Sequence, residues 1–157
     1  MITQPSSSSS PAPLPADGAE AVQQALGAEH AAVWVYGLVS AFLPANLDGP
    51  TLEGMTAHRA RRDATERLLA AGGATPRPAE PAYVTPQPVT DQASALAVLV
   101  TAEVDAGVAW RAVLERTDDA AVRTFALEGL TGAAVRAARW RKVAGVAPVA
   151  PPMPGVP

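Results

Sequence analysis

Apolar positions recur in steps of three and four along four stretches of this chain. In the first, Val22, Leu26, Glu29, Val33, Tyr36, Ser40 and Leu43 share one helical face. In the third, Leu96, Leu99, Glu103, Gly107, Trp110 and Leu114 do the same. The fourth shows Val122, Phe125, Gly129, Ala133, Arg136, Trp140 and Val143. The second is more polar: Met55, His58, Arg62, Thr65 and Leu69 form its inward face. A period near 3.6 predicts helices that turn one face to a core. Gly129 and Ala133 are small enough to let a neighbouring backbone come close.

Prolines mark where these helices cannot run, since a proline inside a helix costs roughly 3 kcal/mol. The 16 prolines leave open windows at 18–43, 51–71, 91–116 and 119–144. Asp17, Thr51, Thr90 and Asp118 are the expected N-caps, with Glu20 completing a capping box after Asp17. Gly72-Gly73 and Gly145 are the expected stops of the second and fourth helices.

The stretch GGATPRPAEPAYVTPQPVT, residues 72–90, separates the two halves and carries five prolines. A helix of about 20 residues is roughly 30 Å long. At about 3.1 Å per residue, an extended proline-rich strap of this size reaches roughly 55–60 Å. That length lets the second and third helices point the same way. The expected fold is therefore all-α: a ferritin-like four-helix bundle over 18–145, with one long Pro-rich crossover at 72–90. As a linker between two domains, the strap would leave two hairpins too small to bury much core. Residues 1–17 and 146–157 read as disordered tails rich in Ser and Pro or in Pro.

The halves echo each other. Glu29 is followed by Tyr36 at the spacing at which Glu103 is followed by Trp110, and Leu52-Glu53-Gly54-Met55-Thr56 resembles Leu127-Glu128-Gly129-Leu130-Thr131. Glu29 and Glu103 interrupt apolar stripes. Counted from the loops, they lie level with Arg62, Asp63 and Glu66 on the second helix and with Glu128 and Thr131 on the fourth. Buried carboxylates need a metal, a proton or a cation. Di-iron and di-manganese bundles supply two single Glu ligands and two Glu-x-x-His motifs. Here Glu53 and Glu128 are followed three residues later by Thr56 and Thr131, and the only histidines are His30 and His58. The second helix offers Arg59, Arg61 and Arg62 instead. The expected layer is a salt-bridged one of Glu29, Arg62, Asp63, Glu103 and Arg136, in which Arg62 pairs with Glu29 by bidentate hydrogen bonds. The alternative is iron or manganese held by Glu29, Glu103 and Glu128 with His30 or His58.

Composition narrows the partners. Aromatics are 4% and 35 residues are alanine, so the core is thin and relies on close helix contact. Cysteine is absent, which excludes thiol nucleophiles and disulfides and fits a cytoplasmic location. A net charge of −3 offers nucleic acid no bulk attraction, and no run of 18 apolar residues suggests a membrane span. The start of the chain lacks the basic and apolar regions of a secretory signal. The basic run from Arg136 to Lys142 suits a helix C-terminus, where cations complement the dipole. Trp34 lies off its stripe and is a candidate dimer contact. No nucleophile–base pair, phosphate loop or cofactor fingerprint is present in the sequence.

At Glu29-His30-Ala31-Ala32 with Tyr36-Gly37, and at His58-Arg59-Ala60-Arg61-Arg62-Asp63, the sequence resembles an actinobacterial ferritin-like family of unknown function. The resemblance continues through Tyr83-Val84-Thr85-Pro86-Gln87-Pro88-Val89 and Glu103 with Trp110. It implies a ferritin-like bundle, dimeric, with no assigned activity. The wider ferritin-like group binds two metals, and this chain departs from it at both Glu-x-x-His motifs. The expectation is a non-catalytic bundle that works through protein–protein contacts as a homodimer, without a cofactor.

Overall fold

A side chain that satisfies free backbone N–H groups of the first turn marks the start of the third and fourth helices, and all four N-caps sit one to four residues from the expected positions. A computed structural model describes residues 13–156 and contains α1 (Ala16–Val39), α2 (Asp48–Ala71), α3 (Gln92–Leu114) and α4 (Ala120–Ala144). No strand occurs among the described residues. The expected tail at 1–17 lies mostly outside the described residues, which begin just before α1.

Pro15, not Asp17, precedes α1, and Asp17 lies in its first turn. The end of the first predicted stripe is not α-helical: Ser40–Phe42 and Ala45–Leu47 form short 3-10 turns that lead into α2. α2 begins at Asp48, with Pro50 inside the first turn, where its missing N–H leaves no bond unmade. Thr51 is thus inside the helix and donates to the carbonyl of Leu47 at 2.7 Å. Asp91, not Thr90, caps α3, because its carboxylate accepts from the Ser94 N–H while the Ser94 hydroxyl accepts from the Asp91 N–H. Asp119, not Asp118, caps α4 through the Val122 N–H at 2.9 Å. The expected glycine stops hold at Gly73 and Gly145, whose φ values of 80° and 69° are left-handed.

Side-chain contacts give the helix directions. Glu29 and Tyr36 on α1 meet His58 and Gly54 on α2, so the two helices are antiparallel. The same two α1 residues meet Trp110 and Glu103 on α3, again antiparallel. α2 and α3 therefore point the same way. Glu103 and Trp110 meet Arg136 and Gly129, so α3 and α4 are antiparallel.

Residues between α2 and α3 lie against α1. Gln23 donates to Thr75 O at 2.7 Å and accepts from Arg77 N at 2.8 Å. Farther along, the ring of Tyr83 sits 5.9 Å from that of Trp34. Trp34, the candidate dimer contact, is thereby partly covered within its own chain.

Two apolar clusters fill the bundle. One gathers Val35, Val39, Leu47, Leu96, Leu99 and Trp140. The other gathers Val22, Leu26, Leu69, Trp110, Val113 and Val122. Burying each large aliphatic chain contributes about 1.5–3 kcal/mol. Ala21, Ala25, Ala32, Ala95 and Ala106 are also buried, and such small side chains let helices pack closely. α3 is apolar enough by length and composition to cross a membrane, with a mean hydropathy of 1.4 over its most apolar window. Its place between α1 and α4 accounts for that apolarity, because both its flanks are packed. α2 meets α4 through long side chains: Arg61 donates to Phe125 O at 2.9 Å, and Arg139 pairs with Glu53 at 3.1 Å.

The segment after Gly145, expected as a disordered tail, is described through residue 156 and lines a pocket with α3 and α4. Arg141 donates to Pro148 O at 3.2 Å, and Gly155 sits against Gly107 and Arg111.

Candidate functional site: a closed carboxylate–histidine layer

Between the two apolar clusters, all four helices contribute to one polar layer. Every member lies on an inward stripe, which is why the helical period brings them together. α1 supplies Glu29 and Tyr36, α2 supplies His58, α3 supplies Glu103 and Trp110, and α4 supplies Arg136 and Trp140.

His58 is fully buried and bridges the two acids. Its Nδ1 lies 2.7 Å from Glu29 Oε2 and its Nε2 lies 3.0 Å from Glu103 Oε1. Trp110 Nε1 donates to Glu29 Oε1 at 2.6 Å. Glu103 Oε1 also receives the Tyr36 hydroxyl at 2.5 Å and Arg136 Nε at 2.9 Å. Trp140 Nε1 donates to the Tyr36 oxygen at 2.8 Å.

The electrostatics follow from this geometry. Burial opposes a charge on His58, but hydrogen bonds to Glu103 and Glu29 and their negative charge prevail, raising it from 6.5 to about 9. The ring is thus an imidazolium at neutral pH, with both nitrogens donating. Burial also opposes charge on Glu103, yet its bonds to His58, the charge of Arg136 and the Tyr36 hydroxyl hold it below the usual carboxylate range. Tyr36 is pushed far up, by burial first and by Glu103 second, so it stays a neutral donor. Two carboxylates face one imidazolium and one guanidinium, and the layer is neutral.

The expected members divide into those brought together and those left out. Glu29, Glu103 and Arg136 meet in the layer. Arg62 does not reach Glu29, which corrects the expected pairing. It bonds the adjacent Asp63 at 2.7 Å, and both side chains are partly exposed. The physical reason is that His58, one turn earlier, already fills the space between the acids. Arg61 goes elsewhere: its guanidinium lies 4.4 Å over the Phe125 ring, and burial, only partly offset by Glu29 and Glu128, lowers its pKa. Of the alternative ligand set, Glu29, His58 and Glu103 converge, whereas His30 and Glu128 do not. His30 Nε2 lies 3.1 Å from Arg77 O, at the strap. Glu128 is exposed and lies 3.7 Å from Arg61.

These residues do not fit a di-metal centre. One imidazole and two carboxylates converge where such a centre needs two histidines and four carboxylates, Glu103 Oε1 already accepts three donors, and Arg136 adds a cation where a metal would add another. Among the described residues no group of three or more His, Asp or Glu is arranged to hold a metal ion. Sequence reasoning missed Tyr36, Trp110 and Trp140 as donors. The equal Glu29–Tyr36 and Glu103–Trp110 spacings were the available signal.

Fold and layer together define an all-helical four-helix domain with one hydrogen-bonded polar layer in its interior. The chain belongs to a family described as domain of unknown function DUF4439, whose model matches residues 21–157. A solved structure similar to it is the crystal structure of a conserved hypothetical protein, rv2844, from Mycobacterium tuberculosis. It is 37% identical, covers 88% of this chain and 97% of its own, and gives a TM-score of 0.81. Comparison with curated proteins gives no match.

Proposed function

We propose that this protein is a ferritin-like four-helix bundle in which residues 72–90 are the crossover and a neutral hydrogen-bonded layer stands in place of a di-metal centre. Its role is non-catalytic: a cytoplasmic homodimer that acts through protein contacts. The parallel run of α2 and α3 supports the ferritin-like reading, as do the strap contacts to Gln23, His30 and Trp34. The observation that carries the non-catalytic reading is His58, which spends both ring nitrogens on Glu29 and Glu103. The contact surface is the α2/α4 side, where Leu52 and Leu127 are 57% and 54% exposed at matching positions of the two hairpins.

Metal content and mass test this reading. Protein purified without chelator should carry well under one iron or manganese per chain, and chelation should leave its melting temperature unchanged. Light scattering should give twice the 16.0 kDa chain mass, falling to the monomer in Leu52→Glu/Leu127→Glu. Near-stoichiometric iron or manganese that is lost in Glu29→Ala/Glu103→Ala would overturn the metal-free layer. A monomer at all concentrations would overturn the dimer.

A further inference from the structure

Glu103 uses only one of its two oxygens in the layer. Oε2 is buried, and no donor among the described residues reaches it. A carboxylate oxygen enclosed without a donor is costly, so native proteins rarely leave one. Glu103 also lines a second space, on the outer side of α3 and α4. This is a pocket of about 100 Å³ bounded by Val104, Leu130, Ala134 and Ala137 and covered by the C-terminal segment through Pro151 and Met153. Arg141 lines the same pocket, and its buried Nε likewise has no acceptor among the described residues.

The cover is seated by a close backbone approach. Gly155 has φ 77°, and a Cβ there would come within 2.8 Å of Arg111 Cβ and 2.9 Å of Gly107 O. Elsewhere the segment is largely exposed, with Met153 at 58%. Little apolar area therefore holds it down, and such a segment belongs to the low-stability end of a fold. The family match runs through 157, so this cover is part of the domain.

We propose that this pocket is a binding site for a small neutral molecule with an apolar body and a hydroxyl, which donates to Glu103 Oε2 beneath the segment 148–156. Each property follows from the walls. The body is apolar because Val104, Leu130, Ala134 and Ala137 line it. The molecule is neutral because His58 and Arg136 already balance Glu29 and Glu103, while Arg141, the other charged wall, stays partly in solvent and turns Nη1 to Pro148 O. A hydroxyl is the simplest neutral donor for Glu103 Oε2, and its oxygen keeps lone pairs for a second donor. The molecule has about four or five non-hydrogen atoms, against the six of benzene in an apolar cavity of about 150 Å³. The site stands whether or not the bundle acts through a partner.

The test uses the full chain and two probes of equal composition, n-butanol and diethyl ether, followed by the amide resonances of Gly107, Ala134 and Gly155. Only the alcohol can donate. We expect saturable shifts with n-butanol and affinity about tenfold or more weaker for the ether, the ratio for losing one hydrogen bond to a charged group. Ala134→Leu fills the pocket and should abolish saturation. If that variant does not fold, Gly155→Val, which unseats the cover, should weaken n-butanol binding instead. Equal affinity for the two probes, or shifts that rise linearly and leave only water in the pocket, would overturn the site. So would n-butanol binding unchanged in the folded variant.

Discussion

The α1/α2 hairpin and the α3/α4 hairpin carry matching parts and use them differently. Glu29, Tyr36, Gly54 and Arg61 in the first answer to Glu103, Trp110, Gly129 and Arg136 in the second. Each glycine makes room for its own hairpin's aromatic ring, and each aromatic donates to the other hairpin's carboxylate. The symmetry breaks at one buried position: His58 stands where the second hairpin has Ala133. The arginines diverge as well. Arg136 enters the layer, while Arg61 lies over Phe125. The lesson is one of charge. One imidazolium between two carboxylates, with one guanidinium, closes the balance, and a second histidine would bring a cation with no anion left to meet it.

The largest effect should come from removing the asymmetric residue. His58→Ala leaves two buried carboxylates facing each other, and breaking such a pair costs about 3–5 kcal/mol. Urea denaturation measures it. A loss below about 1 kcal/mol, the scale of exposed pairs, would mean that the layer is solvated.

The pH dependence comes next. Folding raises the His58 pKa from 6.5 to about 9, so its contribution is complete below pH 6.5 and disappears as pH rises through about 9. Over that limb stability should fall by about 1.4 kcal/mol per pH unit at most. Glu103 is lowered from 4.5, so its contribution is present above pH 4.5 and lost as pH falls. Stability should therefore plateau between these ordinary values and decline on both sides. In His58→Gln the alkaline decline should vanish, and a wild-type curve that is flat from neutrality to pH 9 would contradict a charged ring.

The glycines give the smallest and most comparative test. Alanine is about 1 kcal/mol better than glycine inside a helix. At Gly129, however, a Cβ would sit 2.8 Å from the Trp110 ring, and at Gly54 it would overlap the Tyr36 ring more severely. Overpacking of this kind costs about 1–3 kcal/mol. Both Gly54→Ala and Gly129→Ala should lower the melting temperature, Gly54→Ala by more. A rise in either variant would show that the ring has room to move.

Four helices were legible from the stripes and the prolines, because helical period and proline exclusion are local properties. The interrupting Glu29 and Glu103 announced a polar layer for the same reason. The choice of cation was not legible. His58, Arg61 and Arg62 all lie near the inward side of α2, and only packing decides which one fits between two carboxylates. Cap positions slipped because Asp118 and Asp119, or Thr90 and Asp91, are chemically interchangeable until the chain direction is fixed. The C-terminal segment looked unstructured because its contacts are with Gly107 and Arg111, far away in sequence.

The crossed donors hold the halves together independently of their peptide link. Trp110 completes Glu29, Tyr36 completes Glu103, and Trp140 completes Tyr36, each across the boundary between hairpins. A protease that nicks the strap at the fully exposed Val84 would thus release no free half. The two fragments would remain associated, each supplying the dry interior that the other's ionised groups require.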